Sequence, residues 1–298
     1  MPDRRVGIVG MGVLGSAIAE VLVRNGFQVV GCDRDTGTRD RLQKLGVEIA
    51  DTAIAVAGQC KEIITCLPTT DALHQIVSEL AGCNAADLTV IEVSTFPVAE
   101  KEIARDVLAA KGIILLDCPL SGNRIMALKG ELTAFGSGDK AAVENVRWVL
   151  EGFCRKVHYV GPFGDGMKMK ICGNILNLVH NSAAAEVMVL GMKSGLAPEV
   201  IHEVISGSAS SSRMFDVRGK LMVDEDYSSD GMNFSIPLKD ARIITEHAAS
   251  LRVPTPVYQA ALQPYYAAVA QGHHDEDASA VCTALERAAN VSRKKKEE

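Results

Sequence analysis

The sequence predicts an α/β domain, a doubly wound parallel sheet flanked by helices, followed by an all-α second domain reached through one long helix. Three observations predict it. Short β-rich runs alternate with helical stretches from Arg5 to about Val160, a glycine-punctuated turn joins the first strand to the first helix, and the strand signal largely stops beyond Gly161.

The expected strands are residues 6–9, 28–32, 62–66, 89–93 and 113–117. Several end at a Gly, Asp, Pro or Ser/Thr cluster, and in open parallel sheets the carboxyl ends of strands face the ligand crevice. The opening helix of the second domain is expected over 166–194, about 40 Å long at about 1.5 Å per residue. Its sides differ. Lys170, Asn174, Asn177 and Asn181 share one face by their i, i+4, i+7, i+11 spacing, while Leu176, Val179, Ala183, Val187 and Leu190 populate another. Breaks between later helices are expected at 195–198, 207–212, 227–232 and 254–256. The predicted domains are therefore 1–162 and 163–292, with a charged, solvated tail at 293–298.

Composition limits the function. The 298 residues are 47% apolar, enough for two cores, and a net charge of -6 provides no broad cationic face for nucleic acid. Eight cysteines without a Cys-x-x-Cys pair read as reduced core thiols, not as a disulfide frame or a zinc site, so no metal is expected. Arg4 and Arg5 before an apolar run imitate a secretion signal, but Glu20 and four glycines interrupt it. With no run reaching about 18 uninterrupted apolar residues, the expectation is a soluble, cytoplasmic protein acting on a small molecule, with no membrane partner.

Gly10, Gly12 and Gly15 form G-x-G-x-x-G, with Met11, Val13 and Leu14 between them, after the first strand and before a helix. Glycines there permit a tight turn and close backbone approach to a pyrophosphate, and the helix start offers unpaired N–H groups to the anion. The second strand ends at Asp33, 18 residues past Gly15, where a carboxylate would accept the adenosine ribose hydroxyls. This is the Rossmann-type fingerprint, and it predicts NAD. Arg34 keeps NADP open: its guanidinium either pairs with a 2′-phosphate or stays on the surface beside Asp35.

A hydride-transfer enzyme also needs a group that moves the hydroxyl proton. No tyrosine has a lysine four residues later, no Cys/His cluster supports a catalytic zinc, and His273 and His274 fall in a polar turn expected to be solvent-exposed. Lys170 remains, on the long helix just past the glycine-rich segment 161–166. By position alone two readings stand, a lysine in a cleft or one snorkelling from a surface helix. In a cleft, partial desolvation would bring its proton affinity toward the working range.

The segment Gly164-Asp165-Gly166-Met167-Lys168-Met169-Lys170-Ile171-Cys172-Gly173-Asn174 resembles the catalytic pattern G-x-G-x-x-x-K-x-x-N-N of the β-hydroxyacid dehydrogenase family. Further family segments follow in order: the fingerprint at Gly10, Cys66-Leu67-Pro68, Ser94-Thr95, Asp117-Cys118-Pro119-Leu120-Ser121-Gly122, and Phe234 with Lys239-Asp240. The resemblance implies an NAD(P)-dependent oxidoreductase that interconverts a small 3-hydroxy acid and its semialdehyde. It makes Lys170 the general acid/base and Asn174 a substrate contact. Ser121 and Gly122 would bind the substrate carboxylate, while Leu67, Pro68, Thr95 and Lys239 would line the cofactor. It also implies a homodimer or homotetramer, with residues 183–190 and 265–269 available for packing.

Three departures bear on the substrate. Asn123, followed by Arg124, stands where the family has a second glycine, so an amide and a guanidinium beside the carboxylate site favour a polyhydroxylated or dicarboxylic substrate. Ser94-Thr95-Phe96-Pro97 is one residue shorter than the usual Ser-Thr-x-x-Pro, and Gly173 replaces the first of two asparagines. Arg213 has two readings, an anion contact or a residue at a subunit contact. Two other functions are compatible with the fold, a non-catalytic dinucleotide-binding scaffold and an imine reductase. The retained set Lys170, Ser121 and Asn174 argues against the scaffold, and an amine substrate has no need of the Ser121–Gly122 anion site.

Overall fold

The computed structural model describes residues 4–83, 87–228 and 233–293; the charged tail past Arg293 and the later part of the expected break at 227–232 lie outside them. The chain divides into two compact units, Met1–Lys170 and Ile171–Glu298. The division falls inside the long helix, later than the expected boundary at 162/163.

The first unit begins with β1 (Arg5–Val9), α1 (Val13–Arg24), β2 (Gln28–Cys32), α2 (Thr36–Lys44), β3 (Glu48–Ile49) and α3 (Ala53–Ala57). It continues with β4 (Glu62–Thr65), α4 (Thr70–Ala81), β5 (Thr89–Glu92), α5 (Val98–Ala109) and β6 (Ile114–Asp117). Several helices start where a short polar side chain caps a free N–H. Asp35 accepts from Thr38 N, Thr52 from Ala55 N, and Thr69 from Ala72 N.

Strands β3, β2, β1, β4, β5 and β6 lie side by side in that order and run parallel. Both faces are covered, and the alternation of side chains shows it. Val6 and Ile8 pack with Ile18 and Leu22 of α1, whereas Val9, Val30, Ile63 and Val90 pack with Leu73 of α4 and Leu108 of α5. The chain reverses its direction of travel across the sheet between β1 and β4, which places the loop after β1 at a topological switch point.

The sheet then exceeds the five expected strands. β7 (Leu120–Ser121), α6 (Arg124–Leu128), β8 (Leu132–Ser137), α7 (Lys140–Asn145), α8 (Arg147–Leu150) and β9 (Cys154–Gly161) complete the unit. β8 is antiparallel to β6 and β7 and parallel to β9, so a mixed edge extends the parallel sheet. β3 and β7 are two residues long and carry no readable period.

Helix α9 (Asp165–Lys193) matches the expectation to within a residue at each end. After it come α10 (Pro198–Ser206), α11 (Arg213–Asp224), α12 (Ser235–Ser250), α13 (Pro256–Ala261), α14 (Gln263–Ala270), a 3₁₀ turn (Ala278–Ala280) and α15 (Val281–Ala289). The second unit is all-α, and its helices stop at the expected breaks. α9 is long and apolar enough by composition to cross a membrane, yet it carries buried polar side chains that bond within the unit. Asn181 Nδ2 donates to Tyr265 Oη at 2.8 Å and to the Ala278 carbonyl at 2.9 Å, and Ser182 Oγ donates to the Ala261 carbonyl at 2.7 Å. These are the bonds of a core helix.

The apolar side of α9 is its exposed side: Leu176 is 55% exposed and Leu190 71%, while Asn181 is fully buried. Three expectations are corrected here. Arg293, expected to begin a solvated tail, is tied down by Glu286 (2.5 Å), Glu225 (3.5 Å) and the Val223 carbonyl (3.3 Å). His273 is not solvent-exposed; its side chain is 12% accessible and its Nδ1 lies 3.0 Å from Glu276 Oε2. All eight cysteines are free thiols, but Cys172 is exposed and so is not a core residue.

Candidate active site

The glycine loop has the geometry a dinucleotide needs. Gly10 has φ +88°, and a Cβ there would sit 2.3 Å from the Cys66 carbonyl oxygen, so neither conformation nor space admits another residue. A Cβ on Gly12 would meet nothing within 4 Å, which leaves open room in front of the loop. Gly12 is also the N-cap of α1 and offers no capping side chain, so the first N–H groups of the helix are left for an anion. Together these features fit a bound pyrophosphate. Met11, Val13, Leu14 and Gly15 complete the turn, with Met11 and Gly15 buried and Leu14 packed on the core.

Asp33 follows β2 and sits against the glycine loop. Its Oδ2 accepts from Met11 N at 2.5 Å and its Oδ1 from Asp35 N at 2.8 Å, which holds the carboxylate at the mouth of the glycine loop. Burial and the Asp33 carboxylate push the neighbouring Cys32 thiol above its ordinary range. Arg34 is exposed and donates through Nη2 to Gln75 Oε1 on α4.

The loops after β4 and β5 are joined directly, because Leu67 N donates to Ser94 Oγ at 2.8 Å. Pro68 is exposed next to Leu67, and Thr95 is half-buried next to Ser94. Phe96 turns into the core at 2% exposure, and Pro97 then leads into α5. The Cys66-Leu67-Pro68 and Ser94-Thr95 segments therefore meet at the carboxyl ends of adjacent strands.

Lys170 Nζ donates to the Leu120 carbonyl at 2.7 Å. Leu120 immediately precedes Ser121 in β7, so this bond brings the ammonium to the Ser121–Gly122 turn. Asn123 serves the backbone as well as the turn: its Oδ1 accepts from Met126 N at 3.0 Å and caps α6. Arg124, the first residue of α6, is half-buried and forms no hydrogen bond or ion pair among the described residues.

In the second unit, Asn174 Nδ2 donates to Asp240 Oδ2 at 2.8 Å, and Asn177 Nδ2 donates to Asn174 Oδ1 at 3.3 Å. Lys239 Nζ lies 3.1 Å from Asp240 Oδ1. Asp240, buried to 8% exposure, thus gathers Asn174 and Lys239 around one carboxylate. The sequence offered Asp240 only as the second half of a Lys-Asp string, with nothing to say that it would hold Asn174.

Sequence reasoning also missed a buried ion cluster beneath the Lys170 helix. Lys101 Nζ lies 2.5 Å from Glu92 Oε2 and 2.7 Å from Asp117 Oδ1, and all three side chains are 0% exposed. Burial alone would lower the Lys101 ammonium, but Asp117 and Glu92 outweigh it and hold the group above its usual range. Burial pushes the Glu92 carboxyl up against the opposing pull of Lys101. A glutamate inside the apolar run Thr89-Val90-Ile91-Glu92-Val93 was the readable signal. Among the described residues no group of three or more His, Cys, Asp or Glu is placed to hold a metal.

A glycine cradle at the switch point of a parallel sheet, with a lysine fixed beside the Ser121–Gly122 turn in the same unit, fits a dinucleotide-dependent oxidoreductase. Comparison with known proteins gives the family. Residues 5–161 match the NAD binding domain of 6-phosphogluconate dehydrogenase, and residues 164–285 match the NAD-binding domain of NADP-dependent 3-hydroxyisobutyrate dehydrogenase. An L-threonate dehydrogenase from Cupriavidus necator is 32% identical over 94% of this chain and 95% of its own. A 2-hydroxy-3-oxopropionate reductase from Escherichia coli is 28% identical over 96% and 98%. The crystal structure of a 3-hydroxyisobutyrate dehydrogenase from Salmonella typhimurium superposes with a TM-score of 0.84 at 29% identity, over 94% of this chain and 99% of that one. A Streptomyces aurantiacus imine reductase, at 19% identity and a TM-score of 0.63, shares the fold alone. The chain belongs to the β-hydroxyacid dehydrogenase family and is an NAD(P)-dependent oxidoreductase.

Proposed function

We propose that the protein oxidises a short polyhydroxylated 3-hydroxy acid, or reduces the matching semialdehyde, with Lys170 as the group that moves the proton. The observation that carries this reading is the 2.7 Å bond from Lys170 Nζ to the Leu120 carbonyl, one residue before Ser121. The dinucleotide, when bound, supplies or takes up the hydride. Everything else falls to the chain. Ser121 Oγ and the Gly122 backbone hold the substrate carboxylate, and Asn174 contacts a hydroxyl. Lys170 takes the hydroxyl proton as the carbon is oxidised and returns it when the carbonyl is reduced.

Two features favour extra hydroxyls on the substrate. The L-threonate dehydrogenase relative is named for a polyhydroxylated acid. Asn123 and Arg124 add an amide and a guanidinium unpaired among the described residues directly after Gly122, groups that gain from polar substrate atoms and leave an apolar methyl without a partner. NAD is the preferred cofactor, because a 2′-phosphate would meet the Asp33 carboxylate and Arg34 is engaged with Gln75. A homo-oligomer in the cytoplasm completes the reading. Leu176, Val187 and Leu190 leave an apolar stripe exposed along α9, and light scattering should return a mass that is a multiple of the 31.8 kDa chain.

The test is cofactor absorbance with threonate, glycerate, serine and 3-hydroxyisobutyrate, run with NAD and NADP in parallel. Polyhydroxylated acids should exceed 3-hydroxyisobutyrate in kcat/KM by about tenfold, the scale of a good polar contact at about 1.4 kcal/mol. Lys170→Ala should keep dinucleotide binding and lose about 100-fold or more in kcat. Turnover near wild type in that variant would assign the proton to another group.

A further inference from the structure

Three charged side chains with no solvent exposure are an expensive way to hold a fold together. A buried ion cluster is seldom more stabilising than apolar residues of the same volume, so stability alone does not account for Lys101, Glu92 and Asp117. Their connections point elsewhere. Asp117 Oδ2 accepts from Met167 N at 2.8 Å, and Ser137 Oγ, which lies 3.1 Å from that carboxylate oxygen and 3.0 Å from the Asp117 carbonyl, accepts from Gly166 N at 2.9 Å. Gly166 and Met167 form the first turn of α9, where N–H groups have no partner inside the helix. The cluster holds two carboxylates and one ammonium. The Asp117 carboxylate thus faces the positive end of a 29-residue helix, where an anion is best tolerated.

The other side of the cluster reaches the cofactor loops. Glu92 Oε1 accepts from Ser94 N at 2.8 Å, and Ser94 Oγ accepts from Leu67 N at 2.8 Å. One connected set of bonds therefore runs from Leu67, through Ser94 beside Thr95, through Glu92, Lys101 and Asp117, to the turn of α9 that precedes Lys170 by three residues. The helix start has no slack against it. A Cβ on Gly166 would lie 2.4 Å from the Phe135 carbonyl oxygen and 2.7 Å from that of Asp117.

We propose that Glu92, Lys101, Asp117 and Ser137 are positioning residues: they set the register of the Lys170 helix against the Leu67 and Thr95 loops, and so align proton transfer with hydride transfer. None of the four touches the reacting atoms. The inference rests on Lys170 being the proton-transfer group.

The experiment compares Ser137→Ala, Glu92→Gln and Lys170→Ala in the full-length enzyme, reading dinucleotide Kd, KM, kcat and the solvent deuterium isotope effect on kcat. Ser137→Ala removes the acceptor of Gly166 N and leaves the ion cluster in place. We expect its Kd and KM to stay within about twofold while kcat falls about tenfold, since small misplacements of a reacting group are costly in rate. The solvent isotope effect should rise, because the misaligned proton transfer becomes more rate-limiting. If Ser137→Ala does not accumulate as folded protein, Glu92→Gln, which keeps the side-chain shape, carries the same readouts.

A kcat within twofold of wild type with an unchanged isotope effect would overturn the proposal. So would parallel losses in Kd, KM and kcat that track the folded fraction, because those mark a purely structural role. If Lys170→Ala itself turns over normally, the failure belongs to the assignment of Lys170. If Lys170→Ala is inactive while the folded variant of the network keeps full kcat, only the positioning role fails.

Discussion

The two ends of the nucleotide-binding sheet are built on different physical terms. At the β5–β6 end, beneath Lys170, the polar groups are fully buried and each is bonded more than once, through Glu92, Lys101, Asp117 and Ser137. At the β2 end, Asp33 is half-buried, Arg34 is exposed, and each hangs on one or two bonds. Buried networks exclude water and admit few alternative geometries, whereas exposed side chains are screened and can rearrange at little cost. On the proposed reading, fixed geometry belongs to the end that carries Lys170, and adjustable selectivity to the Asp33 end, which reads the dinucleotide.

The contrast breaks most visibly if the buried end can lose a charge without consequence. Lys101→Met removes the cation and leaves two carboxylates facing each other in the core. We expect a loss of about 3–5 kcal/mol in unfolding free energy, the scale for breaking a buried ion pair, measured by urea denaturation at neutral pH. A loss under about 1 kcal/mol, typical of an exposed pair, would mean that water reaches the cluster. The pH dependence follows in sign. The folded-state affinity of Lys101 for its proton is raised, so its contribution is complete below about pH 10.4, the unfolded lysine value. It is lost as pH rises through the higher folded value, so wild-type stability should fall on the alkaline side.

The same contrast explains what could be read from the residues in order. β1, β2, β4, β5 and β6 and the whole of α9 were legible to within a residue or so, because apolar period and glycine or proline breaks are local signals. The glycine loop and Asp33 were legible for the same reason. β8 and β9 were not. Their pairing joins Leu132–Ser137 to Cys154–Gly161 across a helical stretch, and β9 exposes Arg155 and Lys156 so that its run reads as polar. Lys101 was equally hidden: in Val98-Ala99-Glu100-Lys101-Glu102 it looks like any lysine on a charged helix face. Only the fold brings it against Glu92 and Asp117 from neighbouring strands. The apolar side of α9 was legible as a separate face, and it is the side that the chain leaves exposed.

The exposed end yields the smallest and most diagnostic effect. Asp33→Ala should narrow the preference for NAD over NADP by roughly tenfold in kcat/KM, about the 1.4 kcal/mol expected of a charged hydrogen bond. Unfolding free energy should fall by only about 1–3 kcal/mol, because the carboxylate's bond to Asp35 N is exposed and its loss leaves only the part-buried Met11 N without its acceptor. Arg34→Ala is the companion measurement. With Arg34 engaged by Gln75, its loss should alter NADP kinetics by no more than about threefold, within the range of an exposed polar contact. If Arg34→Ala instead abolished NADP turnover while Asp33→Ala left the preference untouched, the guanidinium would be the residue that reads the ribose. The adenosine end would then have to be rebuilt around a phosphate, with Asp33 retained only to hold the Met11 turn.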